Sequence, residues 1–420
     1  MISDFDTQPQ PSCEDEIQTG LLSVETALEK ILLMIKPIVK TELVPVQESL
    51  GRVLAEDLFS PIDVPNHTNA AMDGYAVHSS DLEKQKLCVI GTAWAGRPFN
   101  EALKPGECIR IMTGAVMPEN SDTVIMQENV KRKDNIIYVA SEQRPGQHVR
   151  QAGEDLNIGS LALSAGRRLF PAELGVIASL GIADVPVIEK PKVAFFSNGD
   201  ELRSINETLA VGEVYDSNRY TLNAMLTRAE ANIIDLGVVP DNPKRLEETF
   251  QKAAANADLV ITSAGASVGD ADYVLDILKK IGEVKFWKIA MKPGRPLSVG
   301  KIGPSAFFGL PGNPVSVMVT FYQFVLPAVR KLSGEKNIAK FRCSARLTKK
   351  LKKRPGRTEF QRGILKLGDD GTLIVENTGE QGSGILTSMN QANCFVILPA
   401  ESEGADVGDI VTVEPFAGLI

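Results

Sequence analysis

Between residues 190 and 333, short apolar runs alternate with segments of helical periodicity. This alternation restricts the fold more than any other feature of the chain. Val193-Ala-Phe-Phe, Asn232-Ile-Ile-Asp-Leu, Asp258-Leu-Val-Ile-Thr, Val284-Lys-Phe-Trp and Ser305-Ala-Phe-Phe-Gly read as strands. Thr221 to Glu230, Pro243 to Asn256, Asp270 to Ile281 and Pro314 to Leu332 read as helices. Pro243 and Pro314 stand at first-turn positions, where a missing N–H costs nothing, and Asn313 is placed as an N-cap. The rhythm predicts a doubly wound, mostly parallel sheet. Ligands of such sheets bind outside the carboxyl ends of the strands, which says where to look for chemistry.

The flanking regions read differently. Residues 1–20 are polar and acidic and are expected to form a disordered leader. Val24, Ala27, Leu28, Ile31, Met34, Ile35 and Ile38 recur at helical spacing behind Ser23, a plausible N-cap, with Lys36-Pro37 at the exit. Residues 60–150 carry short β-rich runs between Gly, Pro and Asn turns, with Trp94 and Phe99 as core seeds. Around 150–186 the pattern turns helical again and is expected to pack against the helix at 23–38. From Phe341 onward the runs Cys343-Ser-Ala-Arg-Leu, Leu373-Ile-Val, Cys394-Phe-Val-Ile-Leu and Asp409-Ile-Val-Thr-Val-Glu predict a small β-barrel or sandwich. The expected layout is multidomain α/β plus β. A leader covers 1–20, a split helical domain 21–59 with 151–188, and an inserted β domain 60–150. A doubly wound α/β domain covers 189–333 and a C-terminal β-barrel domain 334–420.

The charge balance is 45 basic against 53 acidic residues, a net −8, which argues against duplex nucleic acid as the main partner. Five cysteines and three histidines are scattered without a CxxC pair, so a structural zinc site or disulfide framework is not expected. The N-terminus lacks a basic n-region and an apolar h-region, and no apolar run reaches the ~18–20 residues of a membrane span. A soluble, cytoplasmic protein is expected.

Four loops at predicted strand ends carry unusual chemistry. In Ser197-Asn-Gly-Asp-Glu-Leu, Gly199 permits a tight turn, and Asp200 and Glu201 suit Mg²⁺ or proton transfer. A solvated turn explains the same residues. Thr262-Ser-Ala-Gly-Ala-Ser-Val-Gly-Asp-Ala-Asp-Tyr lets a backbone approach a phosphate closely through Ser263, Gly265 and Ser267, with Asp272 able to hold a shared metal. It is neither a Walker A loop nor GxGxxG. Lys288, Lys292 and Arg295 cluster in Trp287-Lys-Ile-Ala-Met-Lys-Pro-Gly-Arg-Pro, a rigid cationic loop suited to an oxyanion or pyrophosphate. Gly309-Leu-Pro-Gly-Asn-Pro-Val-Ser brings Pro311, Asn313 and Ser316 to a helix start, although capping alone explains it nearly as well. Lys349-Lys-Leu-Lys-Lys-Arg-Pro-Gly-Arg is the one basic run, either a solvated turn or a basic wall facing an anionic ligand. Read this far, the residues give an α/β domain that binds a phosphorylated ligand, with Mg²⁺.

The motifs together resemble the molybdopterin molybdenumtransferase family, the MoeA proteins and the E domain of gephyrin, from about Gly20 to Phe416. The resemblance rests on Ala71-Met-Asp-Gly-Tyr-Ala, Ile111-Met-Thr-Gly-Ala, Gly153-Glu-Asp, Gly199-Asp-Glu-Leu, Ser267-Val-Gly-Asp-Ala-Asp-Tyr, Lys292-Pro-Gly-Arg-Pro and Gly309-Leu-Pro-Gly-Asn-Pro-Val-Ser. It implies a transferase of molybdenum cofactor biosynthesis. Adenylylated molybdopterin and molybdate are the substrates, Mg²⁺ is required and AMP leaves. It also implies a homodimer whose cleft is shared with the partner's β lid domain, and transient contact with the molybdopterin adenylyltransferase. By position, it makes Asp272, Glu201 and Asp241 cleft acids, the first two as candidate metal ligands. Lys288 and Lys292 become holders of phosphate or molybdate, with Arg295 beside them. Arg362 and Ser383 match an oxyanion pocket, and Asp73, Thr113 and Asp155 match positions on the lid. Two departures stand out: Ala264 where a second glycine is usual, and Arg295 where lysine is frequent. The alternatives are a pterin adenylyltransferase or nucleotide pyrophosphatase, and a non-catalytic pterin carrier or scaffold.

Overall fold

The computed structural model describes residues 21–139, 142–264 and 273–416. The leader at 1–20 lies outside the described residues. The chain divides into two units, Leu43–Val187 and the segments that flank it.

The flanking segments build a six-stranded sheet from β1 (Lys192–Asn198), β2 (Asn232–Val239), β3 (Leu259–Ser263), β4 (Gly282–Lys288), β5 (Pro296–Ile302) and β6 (Ser305–Leu310), in the spatial order β2-β1-β3-β6-β5-β4. β2, β1, β3 and β6 run parallel, while β5 is antiparallel to both β6 and β4. Alternate side chains of β1 enter different cores. Val193 and Phe195 join one, and Ala194 and Phe196 the other. Phe308 and Phe307 of β6 divide the same way. A strand buried on both faces needs an apolar residue at every position, which is why these runs do not alternate with polar residues.

Helices α2 (Ser217–Arg228) and α3 (Pro243–Asn256) cover opposite faces. Asn242 caps α3 by accepting from the Arg245 N–H at 3.1 Å. Helix α2 starts four residues before the expected Thr221, because the Asp216 carboxylate accepts from the Arg219 N–H and fixes an earlier first turn. β5 was not foreseen. Gly300 within it looks like a break, but a Cβ there would lie 2.1 Å from the Glu283 carbonyl oxygen, so the close strand pairing requires glycine.

Two of the expected helices carry more detail than their periodicity shows. The apolar stripe of the helix Val24–Met34 is buried in the α/β core. Val24, Ala27, Ile31 and Ile35 are buried in the same core as Val193, Leu222 and Phe324. The periodicity marks a buried face but not what covers it. Pro314–Leu332 is a single helical run of α-helix, a π-helical turn at Phe321–Val325, and α-helix again. Pro327 lacks the N–H that would bond to the carbonyl of residue 323, and the widened turn absorbs that gap. By composition this helix is long and apolar enough to cross a membrane, yet 83% of its apolar window is buried inside the fold.

The C-terminal strands close into a five-stranded barrel. Thr358–Leu367 pairs with both Leu373–Asn377 and Cys394–Leu398. The circuit returns through Cys343–Leu347 and Ile410–Pro415. Phe360 and Phe395 extend from the barrel into the large core around the 314–332 helix.

The other unit holds a six-stranded sheet in the spatial order Thr123–Met126, Gly74–Val77, Glu107–Ile111, Lys86–Ala93, Ile136–Val139, Val130–Lys133. Phe99 packs at its core, but Trp94 is 52% exposed and seeds nothing. A separate small core gathers Val44, Leu54, Leu163, Leu169, Ile177, Val185 and Val187 from both sides of that sheet's segment.

Candidate active site

All the singled-out loops of the α/β sheet leave from one edge, because β1, β2, β3, β4 and β6 point the same way. The floor is buried. Ser197 and Ser263, at the ends of β1 and β3, are 0% and 1% exposed, and the Ser263 hydroxyl donates to Ser197 Oγ at 2.8 Å. Next to them Asn198 Nδ2 donates to Asp241 Oδ1, and the Asp241 N–H donates to Asp200 Oδ1 at 3.0 Å. Asp241, from the β2 loop, is thereby tied to the β1 loop. Gly199 has φ +151°, and a Cβ there would sit 2.6 Å from Glu201 Oε2. The missing side chain is the space over which the exposed Glu201 carboxylate folds.

The second loop begins at Ala264, whose φ is +66°. This left-handed conformation favours glycine, and an L-residue there carries strain of about 1–2 kcal/mol. The Thr262 hydroxyl donates to the Ala264 carbonyl at 3.0 Å and holds the turn. Gly265, Ser267 and Asp272 lie outside the described residues.

In the cationic loop Lys288 and Lys292 are exposed and Arg295 is half-buried. The loop is fixed from below. A Cβ on Gly294 (φ +100°) would meet Thr320 Cγ2 at 2.6 Å, so only glycine lets the loop lie this close to the 314–332 helix. Met291-Lys292 runs as a short strand along Thr358-Glu359 of the barrel, and Lys292 Nζ stands 3.4 Å from the Glu359 carboxylate.

The fourth loop places Pro311 in the core wall and Asn313 at the helix start, with Ser316 buried. Asn313 is the N-cap by position, but its side chain makes no capping hydrogen bond, so capping does not account for this residue. The barrel reaches the same helix start, where the Val315 N–H donates to the Ser383 carbonyl at 3.1 Å. Arg362 is 1% exposed, and burial pushes its guanidinium down to about 10. Its Nε donates to Ser388 Oγ and its Nη2 to the Gly382 carbonyl, both at 3.0 Å. Arg362 therefore holds the turn that carries Ser383.

Sequence reasoning missed Asp216 and Asn218, 2% and 9% exposed at the start of α2. Asn218 Nδ2 donates to the Gly312 carbonyl at 2.7 Å, which sets this side chain against the fourth loop. A Cβ on Gly312 would in turn lie 4.0 Å from Ala264 Cβ. Asp216 Oδ2 and Asn218 Oδ1 are buried acceptors with no donor among the described residues. The one available signal was Tyr215-Asp-Ser-Asn, an N-cap sequence following an acidic strand-end turn.

In the other unit, Asp73 and Thr113 come together. Asp73 Oδ1 accepts from the Thr113 N–H and hydroxyl, each at 2.7 Å, and these two bonds hold its carboxyl below the usual range. Asp155 is exposed and its N–H donates to the Val64 carbonyl at 3.0 Å.

Comparison with known proteins decides the family. The MoeA N-terminal region (domains I and II) matches residues 22–181, a probable molybdopterin binding domain matches 194–331, and the MoeA C-terminal region (domain IV) matches 344–416. The molybdopterin molybdenumtransferase of Haemophilus influenzae is 44% identical over 95% of this chain and 100% of its own length. The chain belongs to the MoeA family of molybdopterin molybdenumtransferases. The Nostoc sp. enzyme of that name is 39% identical over 87% of this chain and 88% of its own length. The MoeA crystal structure from Pyrococcus horikoshii OT3 superposes with a TM-score of 0.82 at 32% identity, covering 94% of this chain and 100% of that one. The MoeA-type chain is thus a transferase of molybdenum cofactor biosynthesis.

Proposed function

We propose that this chain catalyses the Mg²⁺-dependent insertion of molybdate into adenylylated molybdopterin, with release of AMP. The observation that carries this reading is the convergence at one sheet edge of three kinds of group. Acids lie on the β1 and β2 loops, cations on the β4–β5 loop, and buried acceptors at Asp216 and Asn218. The acceptors suit the ring N–H donors of a pterin, since a buried acceptor left without a donor costs about 1–3 kcal/mol.

The acids at this edge suit Mg²⁺. This ion keeps several waters and takes only one or two carboxylates alongside substrate phosphates. Glu201 and Asp272, the latter outside the described residues, would supply that number, and among the described residues no three acids form a closed cage. The residues fit an ion shared with the substrate. When bound, Mg²⁺ would neutralise charge on the phosphoanhydride. Lys288, Lys292 and Arg295 hold phosphate and molybdate oxygens through charge-assisted hydrogen bonds. Asp241, the remaining cleft acid, accepts a proton from the attacking water. Arg362 orients the Ser383 turn at the helix start.

The proposal includes a cytoplasmic homodimer. Asp73, Thr113 and Asp155 of one subunit would close over the crevice of the other, with transient contact to the adenylyltransferase and no nucleic-acid or membrane partner. Sedimentation with parallel activity tests this arrangement, and a fully active monomer sinks it. The chemistry is tested by mixing the protein with adenylylated molybdopterin and Mg²⁺ and measuring AMP with and without molybdate. Release accelerated by molybdate, with metal appearing on the dithiolene, is expected. Indifference to molybdate would mean a pyrophosphatase, and tight binding without AMP would mean a carrier.

A further inference from the structure

The basic run that opens the barrel divides into two parts. Lys349 pairs with Glu376, and Lys350 with Asp406. Beyond Leu351 the pairing is incomplete. Among the described residues Lys352 and Arg357 have no carboxylate partner. With Lys353, Arg354, Lys292 and Glu359 they line a cavity of about 310 Å³. Five cations and one carboxylate face it, a formal 5 − 1 = +4.

Main-chain bonds assemble this cavity. Lys352 is paired in a short strand with Gly404, and the Lys353 N–H donates to the Glu403 carbonyl at 3.2 Å. Lys353 Nζ is pinned on the Ala400 and Ser402 carbonyls at 3.1 and 2.6 Å. The Gly356 N–H donates to Ala400 O at 2.7 Å, and the Thr358 N–H to Ala290 O at 2.8 Å, so this segment is stitched to the cationic loop that carries Lys292. The Lys353 ammonium is lowered first by its burial, with Arg357 and Lys292 adding repulsion against the pull of Glu359 and Glu401. Like charges gathered this way destabilise the empty fold, and an anion entering the cavity removes that cost.

The lining also defines the ligand. Among the described lining residues there is no aromatic ring or side-chain amide to read a base or a sugar. What it offers is two guanidinium forks and three ammonium groups, donors that match a tetrahedral oxyanion of two or more charges. We propose that this cavity is a second anion site, distinct from the sheet-edge crevice and joined to it by Lys292, that takes a tetrahedral dianion. Free molybdate and a phosphoryl group of the nucleotide share that chemistry. Only the purpose of the site, supplying or anchoring an anion for the crevice, rests on the function proposed above.

The test uses the full chain and needs no turnover. Sodium molybdate, inorganic phosphate and adenylylated molybdopterin are titrated calorimetrically at constant ionic strength into wild type and Lys352→Gln/Arg357→Gln. A Lys349→Gln/Lys350→Gln variant removes the same charge from the balanced part of the run. Losing two cations should weaken one equivalent of oxyanion binding by about a hundredfold, roughly tenfold per charge-assisted contact, and the control should change it little. Weakened molybdate binding with normal pterin-nucleotide binding assigns the site to the free oxyanion. Weakened pterin-nucleotide binding alone assigns it to a phosphoryl group. Unchanged titrations, equal weakening in the control, or loss only of binding to an acidic protein would overturn the proposal. Molybdate-stimulated AMP release by the wild type stands or falls separately.

Discussion

Lys340 and Arg342 lead into the barrel, and Lys352 to Arg357 lie in the connection before its strand Thr358–Leu367, yet the two basic groups are treated in opposite ways. In the first, Glu414 is 0% exposed and lies between Lys340 Nζ at 3.6 Å and Arg342 Nε at 3.0 Å. Gln323, from the π-helical turn, donates to Glu414 at 2.9 Å and accepts from Lys340. The carboxylate and Lys340 are desolvated, Glu414 is held from both sides, and the cluster joins the barrel to the α/β core. In the second, five cations and a single carboxylate line one concave surface, and Lys352 and Arg357 have no carboxylate partner among the described residues. Matched buried charge is structural because breaking it leaves an ion without water or partner. Unmatched charge at a concave surface is available to a ligand.

Removing Glu414 should produce the largest effect. Glu414→Ala leaves Lys340 and Arg342 without their carboxylate and is expected to cost about 3–5 kcal/mol, read from urea midpoints. A loss below 1 kcal/mol would erase the distinction between the two groups. Lys292→Ala should lower molybdate-dependent AMP release by about a hundredfold, the range seen when one preorganised charge stabiliser is lost. Its stability should shift by less than about 1 kcal/mol, since the lysine end of its pair with Glu359 is half exposed and Gln361 Nε2 also donates to that carboxylate. A variant that binds both substrates normally and keeps full rate would remove Lys292 from the site.

The comparison also has a pH signature. Burial lowers the Lys340 ammonium to about 8, against the attraction of Glu414 and with repulsion from Arg342 and Arg330. Below pH 8 the lysine is protonated whether folded or unfolded. Between about 8 and 10.5 the unfolded chain binds more protons, so this group's contribution to stability rises with pH. Denaturant midpoints at pH 7.5 and 9.5 should show that rise in the wild type and lose it in Lys340→Met. The smallest effect belongs to the phosphate loop. Ala264→Gly relieves a left-handed alanine and should stabilise the protein by about 1 kcal/mol, less glycine's entropic cost. A destabilised variant would show that the methyl group is packed rather than strained.

The sequence carried the sheet's order of business but not its partnerships. Helix α3 was legible to the residue, since Asn242, Pro243 and an amphipathic stripe mark it locally. β5 was not, because Gly300 reads as a breaker until the Glu283 carbonyl is seen against it. The helix at Val24–Met34 had a readable apolar face, but which core receives that face is a long-range fact. The same holds at the site. Loops at strand ends could be named from composition, and their common edge follows from parallel β1, β2, β3 and β6. Asp216 and Asn218 escaped notice because an N-cap and a ligand acceptor use the same residue types. Only burial without a donor separates them.

The π-helical turn at Phe321–Val325 holds one residue more than the helix needs to keep its face. An α-helix advances the side-chain direction by about 100° per residue, and the wider i→i+5 turn advances it less, so the five residues of this turn carry the direction about as far as four would in an α-helix. Deleting one residue of this stretch should therefore leave Leu326–Leu332 facing the core they fill. What the deletion would remove is the room the widened turn gives Pro327, which has no N–H for an unbroken helix.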